Sequence, residues 1–257
     1  MMLFYDQYTE PKRNDYKTKK QGVWSDNVYT FDCETTTLIN YIGTWQQWDR
    51  ELETFANTKC AITYIWMFGA NDTTYYGRDI HDFAHILKAM SDQHATKVIY
   101  IHNLPFEWQN VILDLIDANK WHVVDMLARA PHKPIQFKIK ELNIIFRCSY
   151  ALTGLNLDES AKQYTTVKKA VNDLDYRQLR GLTTPLTDTE LYYCEMDIVT
   201  LREIIKNFRD RYKHIKEIPI TQTGEVRKAL NKEVGYYYHV KQWELVPSSR
   251  FYIALNN

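Results

Sequence analysis

No excess of charge of either sign marks this chain. Its 257 residues carry 32 Lys+Arg against 32 Asp+Glu, so no global field draws it toward polyanions, and a nucleic-acid contact has to rest on local patches. Cysteine is sparse. Cys33, Cys60, Cys148 and Cys194 form no CxxC pair, and each sits beside apolar or aromatic residues. That pattern reads as reduced core thiols of a cytoplasmic protein, not as a disulfide framework. No window approaches the ~20 apolar residues of a membrane span, so no membrane partner is expected. The N-terminal MMLFYDQYTEPKRNDYKTKK has no apolar run after a basic one, so it is not expected to act as a signal peptide. Repeats and low-complexity linkers are missing too. What is plentiful is tyrosine, at 19 residues. Aromatics stack on single-stranded bases, but more often they fill cores.

The hydrophobic pattern alternates between strand and helix. Residues 1–27 are polar and basic and are expected to form a loosely held arm. Strands are expected over 28–33, 60–68, 73–77, 97–101, 121–127, 135–139 and 143–148. Helices are expected over 79–90, with Asp79 as cap, from Pro105 to about 118, and over 154–163. Thr187 caps a long helix from Asp188 to about 213, whose Leu191, Cys194, Ile198, Leu201, Ile205 and Phe208 keep the 3.6 period. Strands and helices in this mixed order argue an α/β fold with a mixed sheet.

Three places carry acids where core is expected. In YTFDCETTTL (29–38), Asp32 and Glu34 alternate on one strand and therefore point to the same side. Two carboxylates so close repel, and a divalent cation with a taste for hard oxygen ligands, Mg2+ or Mn2+, removes the conflict. Taken alone, a D-x-E is usually a strand end whose acids reach water. In YIHNLPFEWQ (100–109), a strand ends and a helix begins with Glu107 in its first turn, a place the helix dipole alone favours for an acid, and also one where α/β sheets gather ligand groups. In YYCEMDIV (192–199), Tyr193 and Asp197 are four apart and share a helix face bordering the apolar stripe. Two smaller signals are a His pair in HDFAH (81–85), which lacks an evident third ligand, and the basic run 202–216, where Glu203 and Asp210 are interleaved.

In this order, FDCETTT (31–37), HNLPFE (102–107) and YYCEMD (192–197) resemble the three exonuclease motifs of the 3′–5′ exonuclease domain of family B DNA polymerases. The likeness is nearest the protein-primed enzymes of bacteriophages and linear plasmids. CSYALTGLNLDESAKQY (148–164) resembles that subgroup's serine–leucine motif, with Tyr150 in place of leucine. KKAVNDLDY (168–176) resembles its lysine motif, and IPITQTGEVRKAL (218–230) the segment leading to the polymerase part.

The resemblance implies a ribonuclease-H-like exonuclease fold, a central mixed sheet flanked by helices, over residues 28–217, with 218–257 leading toward a polymerase part in cis or in trans. It implies Asp32, Glu34, Glu107 and Asp197 as metal-site acids, with Asp32, Glu34 and Asp197 on two divalent cations, Mg2+ or Mn2+, and Tyr193 orienting the attacking water. Thr35, Asn103, Phe106 and Ser149, with Lys168 or Lys169, would hold the single-stranded 3′ end of DNA. The product would be a nucleoside 5′-monophosphate, the role proofreading, and the setting the cytoplasm of a bacterial host. Glu107 departs from the usual aspartate, which moves the carboxylate by about a bond length where ~1 Å matters. Nothing after residue 230 resembles palm, fingers or thumb, so either a domain of a longer polymerase or a stand-alone exonuclease is expected. Three alternatives stay open: a 3′–5′ exoribonuclease of the same fold, a catalytically weakened single-stranded-DNA-binding module, and a plain α/β domain with coincidental acids.

Overall fold

The computed structural model describes residues 2–20, 22–41, 44–47, 58–167, 174–175 and 178–238. The strands are β1 (Met2–Phe4), β2 (Asp15–Lys17), β3 (Val23–Ser25), β4 (Tyr29–Tyr41), β5 (Thr44–Gln47), β6 (Thr58–Ala70), β7 (Thr73–Gly77), β8 (Ala95–Ile101), β9 (Val123–Ala130), β10 (Lys133–Ile139) and β11 (Ile144–Cys148). The helices are α1 (Ile80–Ala89), α2 (Leu104–Glu107), α3 (Leu113–Asn119), α4 (Ser149–Thr153), α5 (Leu157–Tyr164), α6 (Asp188–Tyr212) and α7 (Gln222–Tyr238). The main sheet runs β1-β7-β6-β4-β8-β11-β10-β9. It is mixed: β4–β8 and β8–β11 are parallel, whereas β4–β6, β6–β7 and β10–β11 are antiparallel. This is the α/β architecture expected from the sequence. No helix among the described residues is long and apolar enough to cross a membrane.

Alternation along the central strands assigns each residue to a face. Tyr29, Phe31 and Cys33 of β4, Ile99 and Ile101 of β8, and Trp66 and Phe68 of β6 pack with Phe83, Leu87, Leu104, Val111 and Leu115 of the helices after β7 and β8. Val28 just before β4, and Val98 and Tyr100 of β8, turn the other way and pack on Leu201, Ile204, Ile205 and Phe208 of α6. Every residue of β8 is buried, as a central parallel strand covered on both faces requires. Asp32 and Glu34 belong by the same alternation to the α6 face.

Several elements differ from the sequence expectation. The strand expected over 28–33 is longer; β4 continues through the threonines to Tyr41 and pairs with β5 and β6. Three consecutive β-branched residues favour extended backbone. The β4–β6 register shifts between Glu34 and Thr35, whose partners are Ile65 and Thr63, leaving Tyr64 as an extra residue on β6. Such a bulge bends the strand locally and re-aims its side chains. The helix expected from Pro105 to 118 begins at Leu104 and passes through a π-helical segment, Trp108–Ile112, directly after Glu107. The helix expected over 154–163 starts later, as α5 at Leu157, because Gly154 at φ +71° ends the preceding α4 and Asn156 caps α5 through a 2.8 Å bond from the Glu159 N–H. The segment after residue 217 is helical from Gln222 to Tyr238, as α7.

The arm is held, not loose. β1 pairs in parallel with β7, and β2 reaches β8 through β3. The Glu10 carboxylate accepts bonds from the Tyr8 hydroxyl and from the Tyr29 hydroxyl at 2.6 Å, and pairs with the buried Lys97 at 3.0 Å. Tyr16 stacks on His214, whose Nδ1 lies 2.6 Å from Asp26. A polar composition concealed these anchors, since each pairs one arm residue with a group distant in sequence.

Gly69 fixes how closely α6 approaches the sheet. A Cβ there would overlap Thr30 Oγ1 and lie 2.9 Å from Ile198 Cγ2. Gly69→Ala is expected to cost about 1–3 kcal/mol by overpacking. Because Ile198 neighbours Asp197, the substitution is also expected to weaken divalent-cation binding. Denaturant titration and Mn2+ titration of the variant check both.

Candidate metal centre

Asp32 and Glu34 meet the third acid from the other side of the cleft. One carboxylate oxygen each from Asp32, Glu34 and Asp197 lie within 4.8 Å of one another. Asp197 is buried, while Asp32 and Glu34 are half-buried. Among the described residues this is the one group of three or more metal-ligating side chains so close together. His81 and His85 do not join such a group; His81 Nε2 faces Asp114 at 3.3 Å.

The elements explain the convergence. Rigid β4 presents its two acids on successive outward positions. Helix α6 carries Asp197 one turn after Tyr193, and its start is set by a capping box between Thr187 and Glu190. Tyr193, Cys194 and Ile198 bury against Ile65 and Met67 of β6. A small pocket lined by Asp32, Cys33, Glu34, Ile65, Met67 and Cys194 opens between the two.

Glu107 lies beside this trio, at the junction of β8 and α2. It is only 3% exposed, and its Oε2 is buried without a hydrogen-bond partner. Burial, followed by the negative charge of Asp32 and then Glu34, pushes its carboxyl well above the usual carboxylate range. Burial and the charges of Glu107, Asp32 and Glu34 likewise push the Cys33 thiol up, and burial with Glu34, Asp32 and Asp197 does the same to Cys194. Both cysteines therefore stay protonated and take no part as thiolates.

An acidic cluster with one buried, unpartnered carboxylate oxygen beside it fits a hard divalent cation. Carboxylate oxygens are the ligands Mg2+ and Mn2+ take, and added positive charge relieves the mutual repulsion that the side chains alone do not.

The other expected residues differ in their exposure. Tyr193 is buried, 8% exposed, on the same face of α6 as Asp197. Asn103, Phe106 and Thr35 all keep some exposure. Asn103 is exposed at φ +63°, preceding α2 without capping it through its side chain, Phe106 is 39% exposed, and Thr35 is half-buried. Ser149 is the exception. Expected at the DNA surface, it is fully buried, with its hydroxyl 2.9 Å from His102 Nδ1. Lys168 and Lys169 lie outside the described residues.

His102 was legible only as the first letter of HNLPFE. The structure adds Tyr150, exposed, with its ring edge-on to His102 at 5.9 Å between centroids. The basic run on α6 is largely neutralised: Lys206 pairs with Asp72 at 2.6 Å and Glu203 at 2.8 Å, and Arg211 with Glu225 at 2.5 Å. That is the solvated-face reading of its interleaved charges.

No protein-family model matches the sequence, and no curated protein does. Solved structures do. Phi29 DNA polymerase complexed with primer-template DNA and incoming nucleotide substrates matches at TM-score 0.59 and 16% identity, covering 81% of this chain and 34% of that one. The same polymerase complexed with single-stranded DNA matches at TM-score 0.59 and 16% identity, over 82% of this chain and 35% of that one. An orthorhombic crystal form matches at TM-score 0.57. This chain thus spans about a third of the length of the structures it matches, and at this identity the likeness establishes a shared fold, the one the sequence resemblance led us to expect.

If the trio is held together against its own charge, Asp32→Asn should stabilise the protein in chelator and lose the stabilisation that Mn2+ confers on the wild type. Thermal melts should show the variant higher in EDTA by about 2–4 °C for each kcal/mol of repulsion relieved. The wild type alone should rise on adding Mn2+, by about 2.7 kcal/mol at a hundredfold excess over Kd. A wild-type melting curve indifferent to Mn2+ would contradict the metal assignment.

Proposed function

We propose that this chain is a metal-dependent 3′–5′ exonuclease that removes nucleoside 5′-monophosphates from single-stranded 3′ ends of DNA. The observation that carries the reading is the meeting of Asp32, Glu34 and Asp197 within 4.8 Å, from a strand and a helix 165 positions apart at their outer residues, with Glu107 buried at their side. The shared fold with a DNA polymerase agrees with it. We divide the chain into the arm of residues 1–27, the exonuclease domain of 28–217, and the segment 218–257 leading toward a polymerase part, in cis or in trans. Work in the cytoplasm of a bacterial host, in the service of proofreading, belongs to the same reading.

Asp32, Glu34 and Asp197 would hold two divalent cations, Mg2+ or Mn2+. When bound, these supply a water acidic enough to attack near neutral pH and positive charge for the departing 3′-oxygen. The chain's own groups do the rest. Tyr193, one turn before Asp197, orients the attacking water by its hydroxyl. Phe106 offers an exposed ring to a frayed base, worth ~1–3 kcal/mol. Asn103 and Thr35 hold the terminal nucleotide, Ser149 steadies His102 from beneath, and Lys168 and Lys169 contact phosphates. Glu107 contributes to the acidic wall beside Asp32. The mobile proton ends on the released 3′-hydroxyl, and the attacking oxygen becomes part of the 5′-phosphate of the product.

The test is digestion of 5′-labelled single-stranded DNA with Mg2+ or Mn2+, beside RNA of the same sequence. A ladder of shortened DNA is expected, and Asp32→Ala should abolish it. Substantial cleavage by Asp32→Ala would sink the two-cation assignment. Shortened RNA with intact DNA would make the chain an exoribonuclease, and a well-folded protein that binds DNA without cutting it would be a binding module. Tyr193→Phe should slow single-turnover cleavage by ten- to a hundredfold, the lower range of a positioned proton-transfer group, with DNA affinity unchanged. Equal rates would remove the tyrosine from the mechanism.

A further inference from the structure

Arg180 lies in the loop between α5 and α6, and it is among the most deeply buried cations in the protein, its side chain 3% exposed. Its Nε and Nη2 both reach Oε1 of Glu190, at 2.8 and 2.5 Å. Its Nη1 donates to the carbonyl oxygens of Asp175 at 2.6 Å and Gln178 at 3.2 Å. Its own backbone grips the opposite wall: the Arg180 N–H donates to Thr36 Oγ1 at 3.1 Å, and Thr36 Oγ1 donates to the Arg180 carbonyl at 2.9 Å.

The two ends of this clasp are the two halves of the acidic centre. Thr36 is two residues beyond Glu34 on β4. Glu190 opens α6 and lies three residues before Tyr193 and seven before Asp197, so all three share one helix face. The clasp therefore joins the strand that carries two of the acids to the helix face that carries the third. Glu190 also closes the helix cap, its Oε2 accepting from the Thr187 N–H at 2.7 Å and hydroxyl at 2.9 Å. Burial alone would raise its carboxyl, but the bonds from Thr187 and Arg180 outweigh that and hold it below the usual carboxylate range. A second arginine braces the same loop. Arg78 donates through Nε to the carbonyl of Tyr64 at 2.6 Å and through Nη2 to Gly181 and Thr184 at 2.8 Å each. Tyr64 is the extra residue of the β6 bulge opposite Glu34 and Thr35.

We propose that Arg180 is a positioning residue for the acidic centre, setting through Thr36 and Glu190 the spacing of Asp197 and Tyr193 from Asp32 and Glu34. A repulsive trio does not hold its own spacing; something must press the strand and helix together from outside it. The clasp does so with buried, charge-assisted bonds, which are short and directional. Removing one partner strands the other in a dry site, so its loss is felt at once. The inference rests on reading the centre as a divalent-cation site.

The test is Mn2+ binding to the full chain without DNA, followed by electron paramagnetic resonance, for Arg180→Met, Arg180→Lys, Thr36→Val and the Arg180→Met/Thr36→Val double variant. Each single loss of clasp is expected to weaken Mn2+ binding three- to tenfold. The lysine variant should fall between wild type and Arg180→Met. The double variant should bind little worse than the weaker single, because both break one connection. Ile145→Ala, a core truncation on β11 away from the clasp, controls for loss of general stability and should leave Mn2+ affinity at the wild-type value. The proposal is overturned if folded Arg180→Met and Thr36→Val bind Mn2+ as the wild type does, or if Ile145→Ala weakens binding equally. Should Arg180→Met fail to fold, Thr36→Val and Arg180→Lys decide by the same criteria. A wild type that binds no Mn2+ overturns both this inference and the metal reading. A wild type that binds Mn2+ but cleaves neither DNA nor RNA overturns the nuclease reading alone, and the variant comparison still decides on Arg180.

Discussion

Like charges resist being brought together, and this structure gathers at least three of them. Asp32, Glu34 and Asp197 converge within 4.8 Å, and Asp32 and Glu34 both act on Glu107, whose carboxyl is driven up by burial and by their charge. Nothing in the trio favours its own assembly. Its geometry has to be imposed by the surrounding fold, and the fold around it reads as a set of answers to that requirement. The strand bearing two of the acids is central in the sheet, hydrogen-bonded to β6 on one side and β8 on the other. The helix bearing the third spans 25 residues and begins with a full capping box. Gly69 removes the side chain that would hold the two apart.

The same constraint accounts for irregularities clustered there. The β6 bulge at Tyr64 falls opposite Glu34 and Thr35, where the strand must twist past the end of the acidic pocket. The π-helical segment starts at the residue after Glu107. Each irregular element forgoes some regular hydrogen bonding, which a packed domain tolerates chiefly where side-chain direction matters more than backbone economy. Two buried or half-buried arginines, Arg180 and Arg78, then take up carbonyl groups of the loop between α5 and α6.

Much of this was legible in advance, and the reason is local. Period-two alternation placed Asp32 and Glu34 on one side of a strand, and spacing of four placed Tyr193 and Asp197 on one side of a helix. Asp79 and Thr187 announced their helices, and both cap them, with bonds to the His81 and Glu190 N–H groups at 2.9 and 3.2 Å. What escaped was non-local or depended on neighbours. The strand expected over 28–33 stops short of the threonines after Glu34, although β-branched residues favour the extended backbone found there. The arm looked loose because its composition is polar, yet Glu10 and Tyr16 are bound by Tyr29, Lys97 and His214. Motif position alone puts Ser149 among the DNA contacts, while the fold buries it at the start of α4 with its hydroxyl on His102. The Thr36–Arg180 clasp joins residues 144 apart, and no periodicity reaches that far.

Glu107 shows how the balance of stability and function falls here. A longer acid than aspartate could have been expected to swing outward into water. It is instead buried, with Oε2 unpartnered, against two half-buried acids. A buried polar atom without a partner costs roughly 1–3 kcal/mol, and the neighbouring negative charges add to it. The protein carries that cost at the mouth of β8, where a parallel strand ends, the position at which α/β sheets expose their ligand groups. Burial and the charges of Asp32 and Glu34 hold that carboxyl toward its neutral form, which is how the fold keeps a third acid beside two others where α/β sheets gather ligands.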